Sequence, residues 1–185
     1  MPADDASRAV TGYPAGRAVA EPGLAGLARA IIDANRYMTL ATADEDGRPW
    51  ASPVFYAAAD YAEFYWISAP GSTHSQNLAQ RPRISIVIFD SGVAEGAGQA
   101  VYMAATAEQV AEADLARGLA VYPGAADPGS PPLTPEQLQR PAPYRLYRAT
   151  VSEHWILCPR DTGACALHGL AVDHRVPVRL AGRDR

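Results

Sequence analysis

The sequence predicts a mainly β protein, an antiparallel barrel of six or seven strands interrupted by short helices. Three observations carry this. Apolar, β-branched and aromatic runs recur along the chain, each closed by Gly, Pro, Asp or Ser. Most successive runs are joined by tight turns too short for the helical crossover that a parallel sheet needs. Helical spacing is confined to a few short stretches, and no internal repeat is present.

At 185 residues the chain fits one domain, here residues 23–185, preceded by a tail over residues 1–22 rich in Pro, Gly and small side chains. Leu24, Leu27, Ala28, Ile31 and Ile32 fall at helical spacing and predict an amphipathic helix ending near Asn35. Tyr37–Ala43 and Trp50–Tyr56 form a hairpin about the turn Asp44–Arg48, where Gly47 accepts a positive φ. Pro53 inside the second run has no N–H, so it belongs at an edge or bulge. Glu63–Ser68 is a third strand, and Ser72–Arg81 a short helix stopped by Pro82. Ile84–Phe89 and Gln99–Ala107 are further strands around a glycine-rich loop, and Glu108–Val121 reads as a helix. Residues 122–143 are a proline-rich surface excursion with at most one helical turn, around Pro135–Gln139. Tyr144–Leu157 and Leu170–Leu180 close the sheet.

Composition excludes several classes. A formal net charge of -4 argues against nucleic acid as a partner. No run reaches the ~20 apolar residues of a membrane span, and residues 1–21 lack the apolar core of a secretory signal, so a cytoplasmic location is expected. Cys158 and Cys165 do not read as a disulfide framework. His154, His168 and His174 lie near them, but the spacings follow no standard ligand pattern, and no metal is assigned. Trp50, Phe55, Tyr56, Tyr65 and Trp66 read as barrel core or dimer interface, and Glu108, Glu112 and Asp114 as a solvated helix face. No Ser-His-Asp set, glycine fingerprint or Cys-His nucleophile pair is present.

The stretch with the most chemistry is the strand, break and helix over Phe64–Asn77. A helix start offers unpaired N–H groups and the positive end of the dipole to an anion. Here Ser68, Ser72 and Thr73 hydroxyls and the His74 imidazole surround it. An ordinary N-cap uses the same residue types.

In its order of elements the chain resembles the split-barrel flavoproteins related to pyridoxamine 5′-phosphate oxidase. The resemblance rests on Asp46–Pro49, Trp50–Tyr56, Phe64–Ala69, Ser72–Leu78, Arg81–Ser85 and Gln99–Glu108. It implies a homodimer with FMN in clefts between two barrels. It places Ser52, Pro53, Val54 and Phe55 beside the flavin ring, Ser68, Ser72, Thr73 and His74 around the phosphate, Gln99 near the ring, and Asn77 as a brace. Known members carry Arg or Lys where this chain has Ser52, Thr73 and His74. Arg175 is the substitute cation the resemblance offers, beside its reading as a solvated strand residue. The vitamin B6 activity itself is not implied, because no basic set for a substrate phosphate can be assembled. The implied activity is an FMN-dependent oxidoreductase acting on a small molecule. Alternatives are a deazaflavin-dependent reductase of the same fold, or a non-catalytic flavin- or haem-binding protein.

Overall fold

The computed structural model describes residues 21–122, 131–159 and 163–180. The predicted tail up to residue 20, and residues 123–130 of the excursion, lie outside them; Glu21 and Pro22 already belong to a helix. The chain runs α1 (Glu21–Ala34), β1 (Tyr37–Ala43), β2 (Pro49–Phe55), β3 (Ala57–Ala59), β4 (Glu63–Ser68), α2 (Thr73–Gln80), β5 (Arg83–Phe89) and β6 (Ala100–Gln109). A 3-10 turn (Glu112–Asp114), α3 (Leu115–Val121), a second 3-10 turn (Pro135–Leu138), β7 (Arg145–Leu157) and β8 (Arg175–Val178) follow. All described strands pair antiparallel in one curled sheet of order β2-β1-β5-β6-β7-β4-β3, with β8 added on β7.

Alternation places one face of this sheet inside the barrel. Met38, Leu40, Val54, Phe64, Trp66, Ile84, Ile86, Ile88, Val101, Met103 and Tyr147 form the main core, with Leu24, Ala28, Ile31 and Ile32 of α1 packed on it. Trp66 stacks on Tyr147 with ring centroids 5.6 Å apart. The outer faces of β4 and β7 are covered too. Tyr65 and Leu146 pack there against Leu115, Leu119, Tyr122 and Leu138 of α3 and the segment before β7. β4 is therefore buried on both faces, which is why Phe64-Tyr65-Trp66 shows no alternation.

Three predicted elements are corrected. Residues 108–109 continue β6 instead of opening a helix, because Glu108 pairs across the ladder with Arg148 and Val110 N–H reaches Leu146 O at 2.9 Å. Helix begins only at Leu115, so Glu112 and Asp114 stand on a 3-10 turn. The last strand is confined to Arg175–Val178, and residues 163–174 are turn and loop. The strand Ala57–Ala59 was not expected: three alanines carry no β signal, and pairing with β4 decides the conformation.

Candidate cofactor site

α2 begins where β4 ends, and its first turn meets β2. The His74 imidazole is buried there among three serine hydroxyls. Its Nδ1 lies 3.1 Å from Ser52 Oγ, and its Nε2 lies 2.7 Å from Ser68 Oγ and 3.2 Å from Ser72 Oγ. Ser68 and Ser72 hydroxyls are 3.1 Å apart, Ser72 Oγ donates to Ser75 Oγ at 2.9 Å, and Trp50 Nε1–H donates to Ser52 Oγ at 2.9 Å. Burial lowers the His74 pKa, so the imidazole is neutral near pH 7.

Ser72 occupies the N-cap position but makes no side-chain cap, since its hydroxyl is turned into the cluster. The first-turn amides of α2 are thus left for another acceptor. Asn77, one turn later, donates from Nδ2 to Thr42 Oγ1 at 3.0 Å and ties α2 to β1.

The structure brings Ser68, Ser72 and His74 together and adds Ser52, which the resemblance set beside the ring; Asn77 lies one turn further along α2. Thr73 is exposed at the helix start. Val54 points into the core; Pro53 and Phe55 lie on the opposite face of β2. β2 ends the sheet with one edge unpaired among the described residues, which accommodates Pro53 without a lost ladder bond.

Gln99 and Arg175 do not join the His74 cluster. Gln99 lines a separate cavity of about 130 Å³ with Ile31, Asn35 and Asp90, and its buried Oε1 has no partner among the described residues. Arg175 places its guanidinium 4.1 Å from the centre of the Tyr102 ring, a cation–π contact on the outer face.

The structure supplies a cation that sequence reasoning missed. Arg145 opens β7 directly opposite Ser68, on the same face of the ladder, and cross-strand neighbours stand about 5 Å apart at Cβ. Its guanidinium donates to the carbonyls of Ala142 and Tyr144, both at 2.6 Å, and no carboxylate pairs with it among the described residues. Only the antiparallel register of β4 and β7 reveals this neighbour; no local motif does.

Beside this pair, on the outer face, an open groove of about 770 Å³ is lined by Tyr37, Phe55, Ile67, Leu138, Pro143 and Tyr144 among others. The end of the proline-rich excursion forms one wall of it. The groove is mostly apolar and large enough for a drug-sized ring system.

These residues fit a phosphate's hydrogen-bonding needs: hydroxyls, an imidazole and open helix amides converge, and Arg145 pairs across the ladder from Ser68.

Residues 24–158 match the profile of the pyridoxamine 5′-phosphate oxidase family, and the chain belongs to that family. No curated protein sequence matches it. Among solved structures it is similar to a haem-binding protein from Mycobacterium smegmatis, with 24% identity and a TM-score of 0.61, over 86% of this chain and 60% of that one. The chain thus spans only three-fifths of that relative's length. It is also similar to an FAD-binding protein from Mesorhizobium loti (21% identity, TM-score 0.52, 70% of this chain and 91% of that one). A third is the General Stress Protein 26 from Bacillus anthracis (16% identity, TM-score 0.54, 74% of this chain and 95% of that one). At these identities the likeness is one of fold: a split barrel on which flavin- and haem-binding proteins are both built.

Proposed function

We propose that the protein binds FMN and works as a flavin-dependent oxidoreductase on a small organic molecule. The observation that carries this reading is the convergence at the start of α2. Ser52, Ser68, Ser72 and His74 arrive from three separate parts of the chain beside open helix amides, with Arg145 across from Ser68. In this reading the phosphate lies on the first turn of α2, and Arg145 leaves its two loop carbonyls to neutralise it. The ring lies along the unpaired edge of β2, whose backbone groups can meet the flavin's polar rim. The groove beside Phe55 and Tyr144 admits the substrate. Bound FMN would supply the two-electron carrier; the chain holds, orients and shields it.

A cytoplasmic homodimer is part of the same reading. Tyr37 and Tyr144, each more than half exposed, line the outer groove together, and a second barrel packed on that side would cover them. A deazaflavin could use the same phosphate cradle, so the cofactor test must separate the two. Purified protein is incubated with FMN, a deazaflavin or haem, passed through a desalting column, and its visible spectrum recorded. Retention of one FMN per chain, reducible by a nicotinamide donor or dithionite without loss, supports the proposal. Retention of deazaflavin or haem alone, or of none, rejects it.

A further inference from the structure

Far from α2, the turn between β7 and β8 brings four metal-ligating side chains together. Cys158 follows the last residue of β7, His174 precedes the first residue of β8, and Cys165 and His168 lie between them. One ligand atom from each lies within 4.8 Å of all the others. His168 Nδ1 is 3.5 Å from both Cys158 Sγ and Cys165 Sγ; His174 Nε2 is 3.6 Å from Cys165 Sγ and 3.2 Å from His168 Nδ1.

Those separations have a simple meaning. A tetrahedral zinc with Zn–S of about 2.3 Å and Zn–N of about 2.05 Å requires S···N edges of about 3.5 Å and an N···N edge of about 3.3 Å. The measured edges match both. The geometry points to a structural zinc site formed by Cys158, Cys165, His168 and His174. Two thiolates and two neutral imidazoles are the donor set zinc takes in closed, four-ligand sites, and the two thiolate charges cancel the ion's, so the buried end carries no net charge.

The surroundings orient the ligands as such a site needs. The backbone N–H of His168 donates to Cys165 Sγ at 3.2 Å, and the turn is closed by Gly169 N–H to Cys165 O at 2.9 Å. Gly169 sits at φ +68, a conformation that favours glycine. His174 Nδ1 donates to Val172 O at 3.0 Å, which fixes the tautomer that leaves Nε2 free to ligate. Cys158 N–H donates to His174 O at 2.9 Å, so the strand ladder itself sets the first and last ligands side by side. Both cysteines are buried, and both histidines reach in from the solvent side.

The spacing is Cys-x6-Cys-x2-His-x5-His. Its outer intervals are set by the β7–β8 register and not by a local knuckle, which is why the sequence alone assigned no metal. Zinc here adds to the packing of Val176 in the core and fixes the start of the four-residue strand β8, and with it Arg175 on Tyr102. The site is closed, so its role is structural, and it stands whether or not flavin binds.

The test uses the full-length protein purified without metal-affinity resin in buffer holding trace zinc. Elemental analysis by mass spectrometry should find about one zinc per chain surviving dialysis. Both thiols should resist Ellman's reagent until a strong chelator is added, and chelation should lower the thermal midpoint. Cobalt exchanged into the site should give the intense visible bands of tetrahedral coordination with sulfur-to-cobalt charge transfer. His168→Ala, at an exposed ligand, should keep the fold by circular dichroism yet lose zinc on dialysis. Zinc well below stoichiometry in wild-type protein, with thiols that react freely without chelator, would overturn the site. So would a Cys158–Cys165 disulfide in protein isolated under air-free conditions, or His168→Ala that retains its zinc.

Discussion

Ser68 and Arg145 stand directly opposite each other across the β4–β7 ladder, the last residue of one strand facing the first of the other. Ser68 belongs to the hydroxyl cage around His74, whereas among the described residues the Arg145 guanidinium is tied to two loop carbonyls and to no carboxylate. An anion at the start of α2 gives that guanidinium a stronger partner than a neutral carbonyl. Arg145→Met should therefore weaken FMN binding by at least ~10-fold, about 1.4 kcal/mol, with riboflavin affinity little changed. Arg145→Lys should recover part of the loss. Fluorescence titration of the flavin measures all three, and equal FMN affinity in Arg145→Met removes Arg145 from the site.

His74 adds a proton-linked effect. Burial holds its pKa below 6.5 in the free protein, so the ring is neutral at pH 7. A phosphate next to it favours the imidazolium, and binding takes up a proton. FMN affinity should rise as pH falls from 8 to about 6.5, before the phosphate's own second ionisation near 6 opposes it. Calorimetric titration in two buffers of different ionisation heat reads the proton count; no uptake, or release, contradicts the placement.

Folding stability should fall in two acid steps. His74 and His154 both have pKa values lowered by burial, in His154 against a hydrogen bond to Tyr61 O. Below pH 6.5 the unfolded chain binds protons that the folded one resists, so stability declines as pH drops through that value. Glu63 acts lower down. Despite the cost of burial, hydrogen bonds from Tyr65 and Arg117 and the Arg148 charge hold its pKa below 4.5. Its contribution is present above pH 4.5 and is lost as pH falls through the folded value. Thermal midpoints from pH 8 to 3 check this: Glu63→Gln should flatten the lower step and leave the upper one.

The barrel core makes a contrast between neighbours. Phe64 is fully buried, and Phe64→Ala should cost about 3–5 kcal/mol. Trp66 is equally buried, but its indole N–H has no partner among the described residues. Trp66→Phe removes that unsatisfied donor while keeping an aromatic ring on Tyr147, so despite the smaller ring it should cost less than Phe64→Ala. Chemical denaturation of the two variants decides; a Trp66→Phe penalty as large as that of Phe64→Ala would mean the indole has a partner.

Most of the barrel was legible because its signals are local. Gly47 turns the first hairpin, Pro53 marks an edge, and Pro82 stops α2, each for a reason carried by one residue. The Ser68, Ser72 and His74 part of the cluster was legible for the same reason, since those residues flank one break; Ser52 joins them only through the fold. What escaped depends on register. Arg145 meets Ser68 from 77 residues away, Glu108 is drawn into a strand by Arg148, and Cys158 meets His174 only once β7 and β8 pair. Gln99 and Arg175 were carried over by position and not by contact, and neither packs in the His74 cluster.

The proposed phosphate seat is the first turn of α2, and comparing FMN with riboflavin isolates that group because the ring is the same. Side-by-side titration of wild-type protein should give FMN an affinity at least ~10-fold above riboflavin, a gap that collapses in the Arg145→Met, His74→Ala double variant. Equal affinities for the two in wild-type protein, or a gap that survives both substitutions, would contradict it.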